Sequence, residues 1–385
     1  MIPFQSLTLK DLAQALLPLS KTEKQARLRA RLIYHWVYQR FVTDWDQMTD
    51  LAKPLREWLE GHVEIYRLKE RQAQQSLDGT CKFLWDLHDG KTIESVIIPA
   101  ALSEKGQAAF SGREIEDEEQ DLESKGWRRL TACISSQVGC AMACKFCLTG
   151  IQGLDRSLEV HEIVTQVFEL RKVAPITNIV FMGMGEPLHN LPNIIQACRI
   201  FLDQDGLNFS KRKVTVSTSG LVPAMEELGQ AIDVSLAISL NATTDEQRSE
   251  IMPVNKKWNI AELLKACRNY PLGSHRKLTF EYVLLKGFND SREDAARLVR
   301  LLRGLRCKVN LIPFNEHSGS VYRRPSDDVV KRFQKVLVDR NLVTTVRISR
   351  GRDILAACGQ LRSIFGTARG SERHKDWTAT PNVGI

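Results

Sequence analysis

Residues 133–147 read CISSQVGCAMACKFC. Four of the nine cysteines in the 385-residue chain fall in these fifteen positions, and Cys140, Cys144 and Cys147 have the spacing C-x3-C-x2-C. Thiolates so placed on a short loop can close around one metal centre. A structural zinc ion needs four ligands, and this motif supplies three. His161, fourteen residues after Cys147, is a fourth candidate, but it starts a predicted helix and has no paired motif. Three thiolates on a four-iron cluster leave one iron open to a ligand from outside, which is a catalytic arrangement. Cys133 lies seven residues before the loop on an apolar run. By itself it reads as a buried core thiol.

Working outward, the apolar, β-branched runs TACIS, NIVFMG, KVTVSTSG, VSLAISL, KLTFEYVLL and KVNLIPF alternate with helical stretches such as VHEIVTQVFELRK, LPNIIQACRIFLD, IAELLKACRNY and SREDAARLVRLLRGL. Strand then helix, repeated, predicts an α/β fold with a parallel sheet and right-handed crossovers, either doubly wound or curled into a barrel. Ligands then collect at the C-terminal ends of the strands. The cysteine loop, GMGEP (183–187), STSG and SLN all fall there. Alone, G-x-G-E reads as an ordinary strand-to-helix turn.

Before this repeat, residues 1–62 are predicted to be helical, with Leu28, Leu32 and Trp36, and Ile33 and Val37 beside them, as one buried stripe and Arg27, Arg29, Arg31 and Arg40 mostly off it. Residues 63–125 form a small β extension that includes KFLWDL and TIESVIIP. Residues 101–128 read as a long exposed loop; within it, EIEDEEQDLE carries seven acids and no base. The net charge is +8, and without that run the chain has 54 basic residues against 39 acidic. Such a surface suits a polyanion such as nucleic acid. The core is expected over 126–352, a C-terminal segment over 353–366, and a polar, disordered tail over 367–385. No run reaches membrane-spanning length, and Asp11 interrupts the apolar start, so neither membrane nor secretion is expected and a cytoplasmic location is. Cys81, Cys198, Cys267 and Cys307 are expected in the core.

C-x3-C-x2-C with Phe146 before the last cysteine resembles the radical S-adenosylmethionine (SAM) superfamily. Together with FMGMGEPL, VTVSTSGLVP, AISLNA, NLIPFN and GRDILAACGQL, it resembles the RlmN/Cfr group of RNA adenine methyltransferases. The N-terminal RLIYHWVYQRFVTDWDQMTDLAKPLREWL is similar to the RlmN branch. The resemblance runs from about residue 25 to 365. It implies a partial (β/α)6 barrel with an N-terminal helical accessory domain that handles RNA. It also implies one [4Fe-4S] cluster on Cys140, Cys144 and Cys147, and two SAM molecules per turnover. Gly185, Glu186, Ser217, Ser239, Leu240, Asn241 and Asn315 match SAM-contacting positions; Asn241 stands where the family more usually has histidine.

The resemblance also implies the chemistry. Carbon 2 of adenine lies in an electron-poor amidine and is no nucleophile, so a radical must make the bond. Cys358 matches the S-methylcysteine intermediate, whose carbon, once a 5'-deoxyadenosyl radical has taken a hydrogen from it, adds to the base. Cys133 matches the cysteine that resolves the protein–RNA adduct through a transient disulfide with Cys358. Glu94 matches the proton acceptor; taken alone it reads as a solvent-facing strand residue. The implied partners are 23S ribosomal RNA, with transfer RNA as a second substrate, and an electron donor such as flavodoxin; a monomer is expected. The alternatives are methylation at carbon 8, as in the sister branch, and a zinc-stabilised RNA-binding protein without catalysis.

Overall fold

The computed structural model describes residues 1–100, 129–273, 276–317, 319–347 and 349–362. The expectations for the acidic loop and the tail lie outside these residues. The strands are β1 (Ile2–Pro3), β2 (Val63–Glu64), β3 (Lys69–Gln75), β4 (Cys81–Asp86), β5 (Thr92–Pro99), β6 (Leu130–Cys133), β7 (Gln137–Gly139), β8 (Leu154–Ser157), β9 (Asn178–Phe181), β10 (Val214–Thr218), β11 (Ser235–Ser239), β12 (Leu278–Leu284), β13 (Cys307–Pro313) and β14 (Thr344–Val346). The α-helices are α1 (Leu9–Ala15), α2 (Glu23–Tyr34), α3 (Lys53–His62), α4 (Leu148–Gln152), α5 (Val160–Val173), α6 (Leu191–Leu202), α7 (Val222–Ala231), α8 (Asp245–Ile251), α9 (Ile260–Asn269), α10 (Arg292–Leu301) and α11 (Asp327–Val338).

Ten strands form one sheet in the order β14-β13-β12-β11-β10-β9-β6-β5-β4-β3. From β6 to β14 all neighbours are parallel, whereas β3 to β6 are antiparallel. A doubly wound sheet reverses its strand order partway. Here each strand is added on the same side of the last, which curls the sheet into an open barrel. The β extension is continuous with it, because β5 pairs with β6 and sets Val96 opposite Cys133.

Helix starts follow local chemistry. Thr8, Asn259 and Ser291 cap α1, α9 and α10 in reciprocal capping boxes with Asp11, Glu262 and Asp294, which satisfies amides that have no partner within the helix. α5 is buried without a break from His161 to Leu170. One side meets the sheet; the other is covered by the N-terminal segment, where Phe168 meets the rings of Tyr38 and Phe41 at 6.4 and 5.6 Å.

The stripe expected on α2 and the turn after it holds except at its start. Ile33 and Val37 are buried and Leu32 and Trp36 are half-buried against the core, but Leu28 is exposed, and Ala26, Ala30, Tyr34 and Tyr38 widen the inward face. The small alanines allow close approach, and Tyr34 meets Phe4 edge-on at 5.5 Å and Tyr38 at a tilt at 5.3 Å. Tyr34 also donates its hydroxyl proton to the Leu7 carbonyl. Phe168→Ala should cost about 3–5 kcal/mol by opening a cavity where the N-terminal segment meets the barrel. A lower urea midpoint in equilibrium unfolding measures it.

Candidate active site at the cysteine loop

The cysteine loop, residues 140–147, follows β7 and leads into α4. β7 pairs with β8, and the Cys140 amide donates to the Gly153 carbonyl at 2.9 Å. Gly139 makes that closure feasible: its φ is +78°, and a β-carbon there would stand 1.9 Å from the Gly153 oxygen. Lys145 N–H donates to the Ile251 carbonyl at 3.0 Å, and Cys147 N–H to the Cys144 carbonyl at 3.1 Å.

Burial pushes all three thiols above the ordinary cysteine range, Cys140 to about 12, and the charges of the neighbouring thiols and Glu186 add to the effect at Cys140 and Cys144. Three thiols that cannot ionise together on their own suit a cationic centre, whose charge would offset both burial and repulsion. Among the described residues no three Cys, His, Asp or Glu side chains close tightly enough to grip a single ion. Thiolate sulfur is the donor that iron–sulfur clusters take from protein, so three cysteines on one loop fit such a cluster. His161 is engaged elsewhere, edge-on to Tyr66 at 4.4 Å, 3.3 Å from Glu159 and 3.4 Å from Ser6 Oγ.

The loop after β9 packs directly on the start of this segment. Gly183 N–H donates to the Ile134 carbonyl, and Ser136 N–H to the Met184 carbonyl. Gly185 has φ +100°, and a β-carbon there would lie 2.6 Å from Gln137 Cβ. Glu186 is buried; its carboxylate accepts from Leu188 N–H at 3.1 Å and Ser219 N–H at 2.7 Å, while burial raises its pKa. It therefore ties the ends of β9 and β10 together and places negative charge near Cys140 and Cys144. Ser217 Oγ donates to the Phe181 carbonyl at 2.5 Å. Asn241 accepts from Val283 N–H at 2.8 Å and lies 3.2 Å from Met252 Sδ, which joins β11 to β12. Ser239 and Leu240 present their carbonyls to Arg248.

Sequence reasoning missed Arg248. It is fully buried and donates to the carbonyls of Ser219, Ser239 and Leu240 and to Asn255 Oδ1. Its guanidinium is held down to about 10 by burial, with the Cys144 charge the largest contribution opposing this. The Ser219 hydroxyl and the Asn315 Oδ1 are buried without a protein partner among the described residues, which leaves polar atoms for a ligand. The motif STSG contained Ser219, but nothing local singled it out from Ser217.

Cys358 comes to the same place on a strap, residues 349–362. Leu148 N–H donates to the Gly359 carbonyl at 2.8 Å, Thr149 Oγ1 to the Leu361 carbonyl at 2.6 Å, and Asn315 Nδ2 to the Cys358 carbonyl at 3.1 Å. At the other end Asp78 accepts from Gly351 N–H, and Asp353 accepts from Ser76 Oγ. A small cavity beside Cys358 is lined by Ile98, Ile312, Asn315 and Arg347. Arg347 senses both Cys358, the largest contribution raising its pKa, and Cys133. Cys133 is buried and pushed up to about 12, first by burial and then by the Cys358 charge, with Arg347 opposing. The Cys147 thiol also feels Cys358. Folding thus places Cys133 and Cys358 beside one guanidinium, with Cys147 next to Cys358. Glu94 on β5 is not solvent-facing, as its strand position alone suggested, but buried. It accepts from Arg362 N–H at 2.8 Å and pairs with Lys82 at 3.1 Å. Cys198, Cys267 and Cys307 are buried, and Cys81 is half-buried.

Residues 134–299 match the model of the radical SAM superfamily, and residues 9–65 that of the ribosomal RNA large subunit methyltransferase N-terminal domain. The chain is 51% identical over 362 residues to the dual-specificity RNA methyltransferase RlmN of Geobacter sulfurreducens, covering 94% of this chain and 92% of that protein. It is 46% identical to the protein of the same name from Syntrophotalea carbinolica, covering 97% and 94%. Among solved structures, a radical SAM methyltransferase from Sphaerobacter thermophilus superposes with a TM-score of 0.80 at 41% identity, covering 94% of this chain and 99% of that one.

Arg248→Met should destabilise the protein by about 3 kcal/mol or more, because it leaves several buried strand-end carbonyls unsatisfied. Chemical denaturation measures the loss, and a change below about 1 kcal/mol would contradict the described network.

Proposed function

This chain belongs to the RlmN family of radical SAM RNA methyltransferases, and from that premise we propose that it methylates carbon 2 of one adenosine in the peptidyl-transferase region of 23S ribosomal RNA and of the adenosine 3' to the anticodon in some transfer RNAs. The observation that carries the residue assignment is the strap, which seats Cys358 against the cysteine loop, Arg347 and Cys133 at once.

Cys140, Cys144 and Cys147 would hold a [4Fe-4S] cluster, and Gly185, Glu186, Ser217, Ser239, Leu240, Asn241 and Asn315 would border its SAM. Bound there, the pair supplies the hydrogen-abstracting radical that this chemistry needs. Cys358, beside the Arg347 cation, accepts a methyl group in a first step. Its sulfur then bridges protein and base as a thioether. Cys133 releases the product: its sulfur attacks that of Cys358, an S–S bond forms and the C–S bond to the base breaks. The electron pair passes to the methylene carbon, which takes up a proton to become the methyl group. Alkylation itself prepares this step. A free Cys358 thiolate raises the Cys133 pKa, whereas a neutral thioether does not, and Arg347 still opposes the rise. Glu94, which meets the strap at the Arg362 amide, accepts the proton lost from the base, and the electron lost with it would pass to the cluster that Cys140, Cys144 and Cys147 would hold.

The N-terminal helices, residues 1–62, would handle RNA, with the target base presented single-stranded or flipped out. Among the described residues no helix is long and apolar enough to cross a membrane. A cytoplasmic monomer reduced by a flavodoxin-like donor completes the reading.

Cys358→Ala should give neither methylated RNA nor adduct, whereas Cys133→Ala should accumulate protein covalently joined to RNA on denaturing gels. Normal turnover by Cys133→Ala would remove its assigned role. Nucleoside mass spectrometry against 2-methyl- and 8-methyladenosine standards fixes the site; the 8-isomer alone would reject carbon 2. Cys144→Ala should lose iron and the visible absorbance of the anaerobic protein, and zinc in a colourless wild type would reject the cluster.

A further inference from the structure

Lys82 sits within β4 with its side chain buried. Its ammonium is 3.1 Å from Glu94 Oε1, and the two side chains are 8% and 2% exposed. Burying an ammonium and a carboxylate together costs desolvation on both, so such a pair persists where further polar partners complete it. Those partners lie on the strap. Lys82 Nζ is 3.5 Å from the Leu355 carbonyl oxygen, three residues before Cys358. The other Glu94 oxygen accepts from Arg362 N–H at 2.8 Å, four residues after Cys358. The ion pair therefore grips the chain on both sides of the methyl-carrier candidate.

Sheet register adds a second, independent observation. Lys82 is opposite Val96, and Val96 is opposite Cys133. Paired residues share a face, and Glu94, two residues from Val96, shares it too. Lys82, Glu94 and Cys133 thus point to one side of the sheet, where Ile98 borders the cavity beside Cys358. The other ties near Cys358 use the Leu148 amide, Thr149, Asn315 and the Gln360 side chain, which donates to the Glu316 carbonyl, all neutral groups.

We propose that Lys82 is a positioning residue that fixes the Glu94 carboxylate and the backbone on either side of Cys358 in one arrangement, so that proton acceptor and methyl carrier face the base in register. Its pH readout rests on the proton-accepting role of Glu94; its strap readout does not. The charged groups facing Glu94 are Lys82 from β4 and Arg362 from the strap, and both hold its pKa down against burial. Removing Lys82 therefore moves Glu94 ionisation to higher pH.

The test uses the anaerobically purified full chain with its cluster. Lys82→Met should speed amide hydrogen exchange over residues 353–362 roughly tenfold. It should also move the acid limb of the methylation rate up by about one pH unit. Lys82→Arg, which keeps the charge, should return both toward wild type. In Lys82→Met/Glu94→Gln no buried carboxylate is left uncompensated, so the fold is protected, and the fast strap exchange should remain. Unchanged strap exchange in either folded variant overturns the proposal, as does an acid limb in Lys82→Met that coincides with wild type. Glu94→Gln alone separates the two readings: if it still methylates, Glu94 is not the proton acceptor, and strap exchange by itself decides the role of Lys82.

Discussion

Seven parallel strands end at one rim, and there the last backbone groups of each strand lose their ladder partners. Everything chemical in this molecule is arranged around that constraint. Arg248 takes three of the carbonyls, Glu186 joins the ends of β9 and β10, and Asn241 joins β11 to β12. These side chains hold the rim together. Ser219 and Asn315 keep atoms to spare and mark where a ligand's polar groups fit.

The rim is also where charge is concentrated and dry. The loop thiols, Glu186 and Arg248 lie together, and Cys358, next to Cys147, connects them to Cys133 and Arg347. In so little water each charge changes its neighbours' ionisation strongly. Filling the thiol loop with a cation, or alkylating Cys358, therefore alters the state of groups that do not move.

Methylation of RNA by members of this family rests on a radical mounted at the barrel mouth, and the chain surrounds that mouth on three sides. The N-terminal helices cover α5, the antiparallel strands extend the sheet beyond β6, and the strap crosses the rim at Cys358. The strap has little core of its own. Its position comes from ties to the β3–β4 turn, the cysteine loop and β5.

Local pattern was enough for much of this. The spacing of Cys140, Cys144 and Cys147, the alternation of β-branched runs with helices and the capping residues act over a few positions, so they could be read directly from the chain. The choice of barrel over doubly wound sheet needed strand order, which no single run encodes. On α2 the period was right, but Leu28 at the start of the stripe is exposed while Ala26 and Ala30 face inward, because only the partner surface decides where a stripe is covered. Glu94 looked solvent-facing and is buried, since the strap that covers it lies more than 250 residues away. The sequence alone determined which thiols belong to one loop and what chemistry such a loop can carry. Bringing Cys133, Cys358, Arg347 and the Lys82–Glu94 pair to the same rim was decided by tertiary structure, because pairing between distant strands and the docking of the strap depend on contacts that no local spacing records.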